Sequence, residues 1–165
     1  MSAVRSRTLL ALGALGAAIL GAPVPGRAQL GLPGFDTPNP NPMVITAQLR
    51  TAASLIREVL PALDTANSGQ EALPLRPKIN RIYVLIRAGM SGLKMAMDDA
   101  RTQGRFIDPL VPYQHQRVTV AWNLARRPVD AFTTDGGGAW AEYREMAERQ
   151  LGQALTILEE VLVLR

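Results

Sequence analysis

The chain has 165 residues, no cysteine and one histidine, with 18 basic and 14 acidic side chains, a formal net charge of +4. The lack of cysteine excludes disulfides, a thiol nucleophile, covalently attached c-type haem and cysteine lipidation. The positive charge is a weak argument for nucleic-acid binding. Arg5, Arg7 and Arg27 belong to a segment that reads as a leader, and without them fifteen basic groups face fourteen acids, a net of +1.

That leader is "MSAVRSRTLLALGALGAAILGAPVPGRAQ". A basic start is followed by an uncharged run from Thr8 to Ala22, then by Pro23 and Pro25. Gly26 and Ala28 stand at the −3 and −1 positions for cleavage after Ala28. This layout predicts a secretory signal peptide over residues 1–28. The apolar run falls short of the roughly 20 residues needed to span a bilayer. The expected mature chain is therefore periplasmic or extracellular, has no membrane span, and must hold itself together without disulfides. Residues 29–42, rich in Pro and Gly, read as an extended arm with little to bury.

Four helical patterns follow, predicted at 43–63, 77–103, 110–130 and 139–164. In the first, Asn41 suits the N-cap and Pro42 the first helical position. Ile45, Leu49, Ala52, Ile56, Val59 and Leu63 repeat at threes and fours, and Pro61 should kink or end the helix. "DTANSGQEALPLR" reads as a turn region. The second helix carries Ile79, Ile82, Tyr83, Ile86, Met90, Leu93, Met97 and Ala100 on one stripe, with Gly104 as its stop. Gly89, Gly92 and Ala96 flank that stripe, where a neighbouring helix can approach closely. The third, starting near Pro109 or Pro112, carries Val118, Ala121, Trp122, Ala125 and Val129, with Pro128 bending or ending it. After the turn "TTDGGG", the fourth buries Trp140, Tyr143, Ala147, Leu151, Ala154, Leu158 and Val161. No period-2 pattern of useful length appears. The fold expected is all-α: an up-down-up-down four-helix bundle over residues 43–165, because four amphipathic helices can bury their stripes only against one another.

No constellation of catalytic type stands out, so the chain reads as non-enzymatic and without a cofactor. Met95 and Met97 point about 160° apart on a helix, which excludes chelation by both. Met90 and Met97 lie among isoleucines and read as packing material. "DGGG" lacks the Lys-Ser/Thr of a phosphate loop. Asp98-Asp99 and Glu159-Glu160 diverge on their helices and form no acid/base pair. Ser54, Ser68 and Ser91 have only His115 as a base and no supporting motif.

Ligand-site candidates are His115, Trp122 and Arg126 on the third helix. His115 with Met43, Met90 or Met146 resembles the Met/His axial pair of b-type cytochrome bundles, which implies non-covalent haem. That family places the pair near opposite chain ends, whereas His115 stands in the third helix. A lone His near a helix start otherwise reads as a cap or surface residue. Partner-site candidates are Arg87, Lys94 and Arg101, which recur every seven residues along one edge of the second helix. Glu145, Glu148 and Glu159 lie beside the stripe of the fourth. These sets imply either a groove for an anionic partner or ion pairing between helices at the bundle edges. Residues 76–127 carry a charge of +7 and residues 130–165 a charge of −4, so the two blocks can also neutralise each other internally.

"AEYREMAERQLGQALTILEEVL", with the Pro-rich arm upstream, resembles the small lumenal extrinsic subunits of photosystem II. In those proteins acid and Tyr residues precede an Ala/Leu stripe on the last helix. The resemblance implies an accessory subunit of a larger complex. The function expected is contact with another exported protein, with a cofactor or small-ligand carrier as the alternative.

Overall fold

Asn41 and Pro42 start the first helix as their chemistry dictates. In the computed structural model, which describes residues 35–164, the Asn41 side chain accepts the Met43 N–H at 2.9 Å and Pro42 occupies the first turn. Helix α1 covers Pro42–Thr65, α2 Arg76–Thr102, α3 Leu110–Asp130 and α4 Gly137–Val163. The described residues contain no strand. The predicted leader and the first part of the arm lie outside the described residues.

Pro61 and Pro128 both lie close to the ends of their helices. Pro61 does not end α1, which continues to Thr65. Pro61 is exposed, and its ring nitrogen offers the Arg57 carbonyl no N–H. Pro128 likewise lies within α3, two residues before its end, and is buried. The turn region after α1 is also more regular than expected, closing with a 3-10 turn at Leu73–Leu75 that leads directly into α2.

Gly104 behaves as a helix stop must. Its φ is +62°, the Gly104 N–H donates to Arg101 O at 3.1 Å and the Arg105 N–H to Ala100 O at 2.9 Å. These two bonds are the paired closure of a left-handed C-terminal cap. Asp108 starts α3 by accepting the Leu110 N–H at 2.9 Å.

Helix α2 packs on α1 and α3, and α4 packs on the same two. At one end, the Trp140 indole in the first turn of α4 donates to Ala66 O, just after α1, at 3.0 Å. The Tyr143 hydroxyl donates to Pro128 O near the end of α3 at 3.1 Å. At the other end, the Tyr113 hydroxyl of α3 and Arg117 both donate to Glu160 of α4. Ile56, Leu63, Ile79, Ile82, Leu85, Ile86, Leu151 and Leu158 fill the centre and are fully buried. Every stripe residue predicted for α1 and α4 is buried. On α2 the buried face is broader than the stripe, adding Leu85, Ala88, Gly89 and Gly92 and leaving Tyr83, Met90 and Ala100 half-buried. A helix with neighbours on two sides needs that wider face.

The glycine flank of α2 is the seam with α1. A Cβ on Gly89 would sit 2.7 Å from Leu49 Cδ2, and one on Gly92 would sit 2.5 Å from Asn39 O and 2.9 Å from Ile45 Cγ1. Asn39 belongs to the predicted arm. The described part of the arm is seated on the bundle. Gln48, fully buried, donates from Nε2 to Phe35 O at 2.8 Å and to Thr37 O at 2.9 Å. Arg81 of α2 pairs with Asp36, and Phe35 packs half-buried on the core.

Candidate functional site

The flank of α2 away from the glycines is built from larger side chains and lies beside α3. Tyr83 stacks on Trp122 of α3 with ring centroids 6.0 Å apart and planes 26° apart. Both rings are half-buried, and the buried Trp122 indole N–H has no hydrogen-bond partner among the described residues. His115, further along α3, is half-buried. Burial, and secondarily the nearby Lys94 ammonium, hold its imidazole below the ordinary histidine pKa, with Asp98 opposing. His115 lies within α3 rather than at its N-cap.

Lys94 donates to Asp98 at 2.8 Å, and Arg101 approaches the same carboxylate at 3.7 Å. The Lys94 hydrogen bond is the main cause holding Asp98 below the usual carboxylate range. Arg87 is exposed and has no acidic partner among the described residues. Thus two of the three partner-site candidates are tied within their own helix and one is open. Arg126 is exposed and pairs with Asp130 at 3.0 Å.

Ion pairing across helix edges is realised only in part. Glu145 and Glu148 pair with Arg149 and Arg144 of their own helix, and only Glu159 reaches across, to Arg57 of α1 at 2.7 Å. Helices α2 and α4 are not neighbours in the bundle, and no ion pair joins them among the described residues. Between the basic and acidic blocks the cross-helix bridge is Arg117–Glu160, in which Tyr113 and Arg117 lower the Glu160 pKa by hydrogen bonding. What results is segregation: α2 and α3 hold nine basic and three acidic side chains, α1 and α4 four basic and seven acidic. Since α2 lies against α3 and α1 against α4, one side of the molecule is basic.

The methionines do not converge. Met97 is buried, Met90 is half-buried against the core, Met95 is partly exposed, and Met43 is 81 % exposed at the start of α1. Among the described residues, no three His, Asp or Glu side chains gather as metal ligands do.

Among the cavities of the described residues, two open at opposite ends of the helices. One, of about 390 Å³, lies where α2 begins and α3 ends and is lined by Arg76, Pro77, Ile79, Asn80, Pro128, Val129 and Phe132. The other, of about 360 Å³, is lined by Pro42, Met43, Thr46, Asp108, Leu110, Val111, Gln114 and Leu164. Neither is lined by His115, Trp122 or Arg126. Sequence reasoning missed both cavities, whose walls come from residues far apart in the chain.

No family model matches the chain, and no curated protein or solved structure gives a significant match to it. No helix of the described residues is long and apolar enough to cross a membrane.

Proposed function

We propose that this chain is an exported, non-catalytic, up-down-up-down four-helix bundle that works by contacting another protein through the basic α2–α3 side. The observation that carries the reading is charge segregation between helix pairs, with Arg87 left without an acidic partner among the described residues. A partner with an acidic surface matches that side, and complementary charge accelerates encounter and selects partners. The alternating helix directions are supported by the end contacts, in which the first turn of α4 meets the end of α1 and Tyr143 meets the end of α3. Export rests on the leader pattern of residues 1–28, and an accessory role in a larger complex agrees with both.

The test is co-purification from the exported fraction in rising salt. A partner bound through this side is retained at low ionic strength and released as the salt shortens the screening length from about 10 Å at 0.1 M to about 3 Å at 1 M. Retention that ignores salt, or no retained protein at all, refutes the reading.

A further inference from the structure

The cavity at the start of α2 has the composition of a small-molecule site. Its volume of about 390 Å³ falls in the range of ligand pockets, which are mostly apolar with a few polar groups that fix orientation. Pro77, Ile79, Pro128, Val129 and Phe132 supply the apolar wall, and Arg76 and Asn80 supply the polar groups.

Arg76 is the informative residue. Its guanidinium lies 5.7 Å from the centre of the Phe132 ring, a cation–π arrangement. It has no carboxylate partner among the described residues, unlike Lys78, Arg81 and Arg126. Asp130, next in sequence to the wall residue Val129, is engaged by Arg126. The cavity therefore presents a cation and an amide beside an apolar surface, with no resident anion.

The walls are also held in place. Pro128 and Ile79 are fully buried, and the Pro128 carbonyl accepts the Tyr143 hydroxyl at 3.1 Å. Phe132 meets Tyr143 edge to face at 5.2 Å, and Tyr143 lies 5.4 Å from Trp140. Behind them the loop at Gly69 runs so close to Thr133 that an added Cβ would lie 2.2 Å from its carbonyl oxygen. A wall ordered in advance loses little entropy when a ligand enters.

We infer that this cavity binds a small monocarboxylate with an aromatic or compact apolar body. The carboxylate bonds to the Arg76 fork and to the Asn80 amide, and the body lies between Phe132 and the proline and valine wall. The inference does not depend on the protein-contact reading, because neither Arg87, Lys94 nor Arg101 lines the cavity.

Isothermal titration of the full exported chain with 3-phenylpropionate and with its neutral amide tests it. The carboxylate is expected to bind at least tenfold more tightly than the amide, and Arg76→Gln to remove most of that preference. Phe132→Ala should weaken both ligands, and Arg87→Gln should change neither. Because the comparison of acid and amide uses the unaltered protein, it does not depend on any variant folding. Equal binding of acid and amide, no binding of the acid at millimolar concentration, or a preference untouched by Arg76→Gln overturns the inference.

Discussion

The two flanks of α2 show how side-chain size divides a helix into a sealed seam and a working surface. On one flank Gly89 and Gly92 let α1 and the arm come within contact distance of the backbone. On the other, Tyr83 stacks on Trp122 of α3 and Lys94 stands exposed, leaving half-buried rings and a charged group at the surface. The seam offers no room for a partner. The opposite flank keeps polar and aromatic groups within reach of one.

The comparison breaks first at Leu49, which fills the space above Gly89. Leu49→Ala leaves a hole in the seam and should cost about 2–5 kcal/mol in urea unfolding. A loss under about 1 kcal/mol would mean that the seam is not tightly packed.

The two glycines sharpen the contrast. Gly92→Ala drives a methyl group into the Asn39 carbonyl, a backbone atom, and should cost about 1–3 kcal/mol. Gly89→Ala meets only the movable end of Leu49, and alanine is favoured over glycine in a helix by about 1 kcal/mol. That variant should be neutral or more stable than the parent, and equal losses at both sites would contradict the arm's seating on α2.

A smaller effect belongs to His115 on the open flank. Its folded pKa lies below its unfolded value, for which about 6.5 is ordinary, so as pH falls the unfolded chain takes up the proton first. Stability is therefore full above the ordinary histidine range and declines as pH drops through it toward the folded value. Lys94 reinforces the decline and Asp98 opposes it. Urea midpoints at about pH 7.5 and about pH 5.5 should fall in the parent and fall less in His115→Asn. Identical falls would assign the slope to other groups.

The helices were legible because their apolar residues recur with helical period, and α4 buried its whole predicted stripe for that reason. The close approach at Gly89 and Gly92 was legible too, since two glycines on one flank of a stripe have few other uses. Gln48 was not. A polar residue beside an apolar stripe looks like a surface position until the arm's carbonyls at Phe35 and Thr37 are placed over it. The ion pairs eluded the sequence for a related reason: seven-residue recurrence marks an edge of a helix but does not say which helix lies beside it. The cavity at Arg76 and Phe132 joins residues far apart in the chain, and no local spacing encodes that meeting.

The most direct test exchanges charge on one side of the molecule at a time. Arg87→Glu, Lys94→Glu and Arg101→Glu together reverse the open edge of α2, while Arg50→Glu and Arg57→Glu reverse exposed cations of α1. Arg57→Glu breaks the bridge to Glu159, and Lys94→Glu and Arg101→Glu set like charge beside Asp98, so urea unfolding beside the cross-linking checks that each set stays folded. Quantitative cross-linking in the exported fraction should then show the α2 set losing the partner that the parent and the α1 set retain. Equal retention by all three proteins, or equal loss from both reversed sets, would contradict the account.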